Sequence, residues 1–180
     1  MRHHLFIALA FMGLAASPLS ATASTTQTSS TVQGSTFQIA EASTGITEAE
    51  VKVLLARMQA AAKAHNADKL LSYFTPDAKI VAQMPEEMGG RMTLDPQLYK
   101  NLLQKGWSVL KGKQYTYDVK NIQIKVFPGK DKAMVSDETH ESFRLNNETI
   151  TSVTHQQMLI VRHQGQLKVK VLKGQAAETP

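Results

Sequence analysis

Chemistry in this 180-residue chain has to come from acids and histidines brought together by folding, because it contains no cysteine. That excludes a thiol nucleophile, a disulfide framework and a lipid anchor on cysteine. The best-placed groups lie in the runs Ala133 to Leu145 and Glu148 to Arg162. Between them, Asn146-Asn147 tolerates the left-handed conformations that a two-residue hairpin turn needs. With that turn, Glu138 stands opposite His155 and Asp137 opposite Gln156, while His140 shares the face of Glu138. Glu138 with His155 has the makings of an acid–base dyad, the carboxylate holding the tautomer of the imidazole and raising its basicity. The plainer reading is a cross-strand charge pair on a solvated face, worth a few tenths to about 1 kcal/mol.

Which face turns inward decides between the two. One face carries Ala133, Val135, Phe143, Ile150, Met158 and Ile160 together with Asp137, Thr139, Glu141, Thr154 and Gln156. The other carries Met134, Val153, Leu159 and Val161 with Glu138, His140 and His155. The first is slightly more apolar and is the expected inner face, which makes Asp137 and Gln156 a candidate ligand-orienting pair. Glu138-x-His140 on a strand is a weak metal signal, and no metal or cofactor is expected. Met84, Met88 and Met92 around Gly89-Gly90 are suited to a greasy mouth, since methionine adapts to varied apolar surfaces. Tyr73 and Trp107 have the size to close the same cavity. The expected lining is therefore Met58, Tyr73, Met84, Trp107, Asp137, Gln156 and Met158. His65, single and at a helix end, reads as an exposed cap-region residue. Asn147-Glu148-Thr149 matches a glycosylation acceptor, but the leader looks bacterial, where that sequon is usually silent.

The elements that position these groups are written locally. Thr47 and Glu50 form a capping box, and Ile46 and Val51 are spaced to staple the chain as it enters the helix. Val51, Leu54, Leu55, Met58 and Ala62 then fall on one helical face. Asn66 caps a short second helix through Phe74, ended by Pro76. Ala78 to Met84 alternates as a strand, and Pro85 to Met92 reads as a loop. Asp95-Pro96 starts a third helix bearing Leu98, Tyr99, Leu102, Leu103 and Leu110. Tyr115, Tyr117 and Val119 alternate in one phase and Ile122, Ile124 and Val126 in the other, the mark of a β-bulge and a curved sheet. Leu167 to Leu172 makes a last strand, with Leu167, Val169 and Val171 expected inward and Lys168 and Lys170 in solvent.

Outside this domain the chain changes character. Arg2, the apolar run Leu5 to Ala16 and Ala21-Thr22-Ala23 compose a cleaved signal peptide over residues 1–23. The run is shorter than the roughly 20 apolar residues of a membrane-spanning helix, so no anchor is expected in the mature chain. Export follows, to the periplasm if an outer membrane exists and otherwise to the medium. Residues 24–45 are a Ser/Thr-rich leader too polar to offset ordering entropy, 46–174 form the domain, and 175–180 a short tail. The net charge of +5 and pI near 9.4 are mildly basic. Lys and Arg do not gather with aromatic residues along a phosphate-tracking path, so nucleic acid is not an expected partner.

Helix, short helix, strand, helix and then a curved antiparallel sheet is an α+β pattern with about three helices on the concave face. The run "LLARMQAAAKAHNADKLLSYFTPDAKIV" resembles the opening of the nuclear transport factor 2-like, or SnoaL-like, superfamily. "FPGKDKAMVSDETHES" and "HQQMLIVRHQGQLKVKVL" are similar to its closing strands. The resemblance implies a cone-shaped fold over Ile46 to Gly174 and a homodimer through the open sheet face. That fold hosts isomerases, dehydratases, hydrolases, transport adaptors and binding modules, so it assigns no reaction. Against the steroid isomerase branch, Met58 falls where the resemblance implies the tyrosine, Ala82 at the base and Gln157 near the late acid. None of these transfers a proton. The expectation is an exported module that binds an apolar small molecule or a protein partner. The alternative is a small lyase, isomerase or hydrolase using Glu138 and His155.

Overall fold

The computed structural model describes residues 45–84, 86, 89–145 and 148–177. The residues read as a signal peptide and most of those read as a leader, together with Met88, Asn146, Asn147 and the last three residues, lie outside them. The first helix, α1 (Glu48–Lys63), begins with the capping box that its sequence contains. Glu50 N donates to Thr47 Oγ1 at 3.3 Å and Thr47 N donates to Glu50 Oε2 at 2.9 Å. Ile46 and Val51 are both fully buried. The Arg162 guanidinium, 2.9 Å from Glu50 Oε1 and 3.3 Å from the Gly45 carbonyl, ties this helix start to the sheet. It holds the Glu50 carboxyl below the usual carboxylate range. Asn66 caps α2 (Ala67–Leu71), and Asp95 caps α3 (Pro96–Leu110) by accepting from Leu98 N at 2.7 Å, with Pro96 at the first helical position.

The strands are β1 (Phe74–Gln83), β2 (Arg91–Leu94), β3 (Tyr115–Val126), β4 (Lys132–Leu145), β5 (Glu148–His163) and β6 (Gln166–Ala176), in the sheet order β2-β1-β6-β5-β4-β3. The sheet is mixed rather than purely antiparallel, because β1 runs parallel to β6. Helix α1 lies against β3 and β6, and α3 against β1 and β2. The core they enclose includes Leu55, Met58, Ile80, Leu103, Met158, Ile160 and Leu172. Each large side chain fully buried there contributes about 1.5–3 kcal/mol relative to exposure.

Four local expectations are corrected. Helix α2 stops at Leu71, and Phe74 and Pro76 join β1 at a register irregularity between Phe74 and Lys79, where a proline costs no ladder hydrogen bond. Part of the supposed 85–92 loop pairs as β2, with Gln83 opposite Arg91 and Ala82 opposite Met92. The last strand extends to Ala176. Within it, Val169 and Leu172 face the core while Val171 is only half-buried. A register shift beside Leu159/Ile160 places Val169 opposite Ile160 and Val171 opposite Leu159, so Lys170 is the extra residue and the phase switches after it. The bulge expected after Val119 is present between Lys120 and Gln123, with Asn121 in the left-handed region at φ 54°.

Candidate functional site

The β4–β5 register pairs Glu138 with His155 and Asp137 with Gln156. The face bearing Asp137 is the inner one: Ala133, Val135, Asp137, Thr139, Glu141 and Phe143 are all buried along β4, as are Thr154, Gln156, Met158 and Ile160 along β5. Glu138, His140 and His155 therefore lie on the outer face. Glu138 accepts from Asn121 Nδ2 at 2.8 Å, and its oxygens stand 3.5 Å from His140 Nε2 and 3.6 Å from His155 Nδ1. Those separations exceed a good hydrogen bond, and the His155 side chain is 54% exposed. A charge cluster so placed is solvated and screened. Glu138→Ala should lower stability by no more than about 1 kcal/mol in urea melts, and a loss above about 2 kcal/mol would refute this placement.

The inner face has an apolar end and a polar end. Ala133, Val135, Met158, Ile160, Val169 and Leu172 make the first. The second begins at Asp137 opposite Gln156 and rises through Thr139 opposite Thr154 to Glu141, which faces Tyr117 across β3. The Tyr115 hydroxyl donates to Glu141 Oε1 at 2.6 Å. Beyond that bond, Glu141 Oε2, Asp137 Oδ1, the Thr139 and Thr154 hydroxyls, both polar atoms of the Gln156 amide and Gln59 Oε1 have no partner among the described residues. Buried polar atoms are nearly always hydrogen-bonded, so a run of such atoms points to partners supplied from outside the chain, as water or ligand.

Burial also sets the charge of this end. It pushes the Asp137 carboxyl up to about 7. It pushes Glu141 up to about 8, against the opposing pull of the Tyr115 hydrogen bond. Tyr99, Tyr115 and Tyr117 are all driven up by burial and by the nearby Glu141 charge. Near neutral pH Glu141 is thus mostly protonated and Asp137 partly so, which leaves the polar end rich in hydroxyl and carboxyl donors.

The other candidates are dispersed. Met58 and Met158 are fully buried at the apolar end, and Met84 is buried just after β1. Trp107 is buried and stacks on His65, ring centroids 5.2 Å apart and planes 14° from parallel. His65 also lies 6.0 Å from the Tyr115 ring. Although exposed on one side, it closes the outer edge of the polar end, and burial lowers its pKa. Because Trp107 is the only tryptophan, its fluorescence should fall on acidification as the stacked imidazole charges, with a midpoint below 6.5; a midpoint at or above 6.5 would contradict the stack. Tyr73 is not at this site. It is half-buried, has Lys69 5.3 Å from its ring, and lines an outer groove of about 920 Å³ between α1 and the β5–β6 turn. That groove is open to solvent and its Glu50 is already paired with Arg162, so it makes the weaker case for a ligand. Gln157 points outward beside His155 in a hollow of about 280 Å³.

Glu141, Tyr99, Tyr115 and Tyr117 were not legible as a site in the sequence. The available signal was a strand whose inward positions change from Ala133 and Val135 to Asp137, Thr139 and Glu141 before returning to Phe143. Among the described residues no group of three or more His, Asp or Glu side chains is arranged to hold a metal ion, and no helix is long and apolar enough to cross a membrane.

No protein-family model and no curated protein matches the chain. Solved structures do. A nuclear transport factor 2-like protein with a cystatin-like fold from Novosphingobium aromaticivorans aligns over 73% of this chain and 82% of its own, at TM-score 0.58 and 12% identity. A ketosteroid isomerase-like protein from Erwinia carotovora aligns over 73% and 96%, at TM-score 0.51 and 15% identity. The hexachlorocyclohexane dehydrochlorinase from Novosphingobium barchaimii aligns over 72% and 86%, at TM-score 0.55 and 16% identity. The fold is that of the nuclear transport factor 2-like superfamily.

Proposed function

We propose that the protein is a small-molecule-binding module whose ligand lies at the polar end of the cone, its apolar body toward Met58 and Met158 and one polar group against Asp137, Glu141 and Gln156. The observation that carries this reading is the row of buried polar atoms without partners among the described residues, drawn from α1, β4 and β5. Pockets that bind small molecules combine apolar walls with a few convergent polar groups. Solved structures of this fold include a ketosteroid isomerase-like protein and a dehydrochlorinase, both names that imply small organic substrates. A second reading, acid–base catalysis at the same place, is favoured by Asp137 and Glu141 titrating near neutral pH, where proton transfer is most efficient. We further propose export through residues 1–23, and a homodimer through the outer sheet face. Sedimentation velocity tests the dimer, and a monomer at micromolar concentration would exclude it.

The test uses 2-naphthylmethanol, one hydroxyl on an apolar ring system, followed by calorimetry. One saturable site is expected in the wild type and none in the double variant Thr154→Val, Gln156→Met. Undiminished binding to the variant, or binding to the wild type of neither this alcohol nor the corresponding amine, 2-naphthylmethylamine, would overturn the placement.

A further inference from the structure

Glu141 and Asp137 are buried acids with no buried base to answer them: the buried polar side chains among the described residues include no Lys, Arg or His. Aromatic rings surround Glu141 instead. Tyr115 donates to its Oε1, Tyr117 stands opposite it on β3 with ring centroids 6.2 Å from Tyr115, and Tyr99 on α3 lies close enough to feel its charge. Thr139, fully buried between the two acids on the same face of β4, has an unpartnered hydroxyl. Ring faces attract cations, and a carboxylate beside them supplies a charge-assisted hydrogen bond, so aromatic groups grouped with a carboxylate suit an organic ammonium ion. A neutral ligand would satisfy the hydroxyls and leave Glu141 protonated, without use of its capacity to carry a charge.

Resting on the reading that this end of the cone binds a small molecule, we propose that the polar group of the ligand is an organic ammonium, held by Glu141 and the tyrosines with Asp137 as a second acceptor. Charge balances by exchange: the ammonium enters with its own proton retained, the Glu141 carboxyl loses its proton to solvent, and the resulting carboxylate pairs with the cation. The titratable groups facing Glu141 are Tyr115 and Tyr117 from β3, Tyr99 from α3 and Asp137 along β4. Strand β5 presents only neutral Thr154 and Gln156, α1 adds the neutral Gln59, and His65 lies beyond Tyr115. The tyrosines stay protonated, being driven upward, while Glu141 gives up its proton near pH 8 and Asp137 near 7 in the unliganded protein. Ammonium binding therefore tightens as the pH rises from 6 to 8 and releases up to about one proton per ligand at pH 7.

Calorimetry of 2-naphthylmethylamine beside 2-naphthylmethanol, at pH 7 in phosphate and in Tris, separates the outcomes because the two buffers differ in ionisation heat. The amine is expected to bind at least tenfold more tightly than the alcohol, with proton release read from the difference between buffers. Glu141→Gln is expected to bring the amine-to-alcohol ratio near one, and the two-buffer measurement stands on the wild type if that variant fails to fold. Alcohol binding equal to or tighter than the amine, or amine binding without proton release, overturns the ammonium assignment and leaves the binding site standing. Binding of neither probe overturns both.

Discussion

Stability of the wild-type protein should fall by several kcal/mol as the pH rises from about 4 to about 8. The cause is Asp137 and Glu141, which burial pushes up to about 7 and about 8. In the unfolded chain the same acids ionise near 4. Between those values the folded protein holds protons that the unfolded chain has released, so the unfolded state binds fewer and stability declines with pH. At about 1.4 kcal/mol for each pH unit between the two values, the ceiling is about 4–5 kcal/mol for each acid. Glu50 acts in the other direction, since Arg162 holds its carboxyl below the usual range, but its contribution is lost only as the pH falls through that lowered value, below this window. Urea melts from pH 4 to 9 on the wild type and on Asp137→Asn, Glu141→Gln check the sign. The double variant should lose most of the slope and surpass the wild type above pH 8; parallel curves would show that the acids are not buried as described.

The second large effect is a gain. Thr154→Val with Gln156→Met should raise stability by about 1–3 kcal/mol while abolishing ligand binding. A buried polar atom left unmade costs about 1–3 kcal/mol, and an apolar group of similar shape removes that cost. Thr154 and Gln156 are essentially inaccessible, and their side-chain polar atoms have no partner among the described residues. A natural protein that keeps such groups gives up stability for function. Chemical denaturation of the ligand-free double variant measures this directly. A loss of 1 kcal/mol or more would mean that these atoms already hold partners inside the fold, and the site would then be structural.

Much of the fold was legible because its signals are local. Thr47 with Glu50, Asn66 and Asp95-Pro96 each satisfy helix-start amides within three residues, so neighbours in sequence decide them. The phase change between Val119 and Ile122 announced the β3 bulge, and the two-residue spacing at Asn146-Asn147 set the pairing that β4 and β5 adopt on either side of it. What failed was non-local. Nothing near Ala78 says that β1 runs parallel to β6, a strand some ninety residues later. The bulge that turns Val171 outward depends on β5, and Pro76 ends no helix because β1 has already begun. The candidate site divides in the same way. Alternation put Asp137, Thr139, Glu141, Thr154 and Gln156 on one face, and a small excess of apolar residues turned that face inward. Their chemistry became visible only with the tyrosines, which arrive from β3 and α3, and with the absence among the described residues of any buried cation to neutralise the acids.

Native mass spectrometry of the protein purified gently from the cells that make it, followed by denaturation and identification of what is released, tests the binding claim most directly. The expected result is one small organic molecule per chain, with an apolar body and one polar group, absent from Thr154→Val, Gln156→Met prepared in parallel. A chain that carries no molecule in either form, or carries the same one in both, would contradict a ligand site at the polar end of the cone.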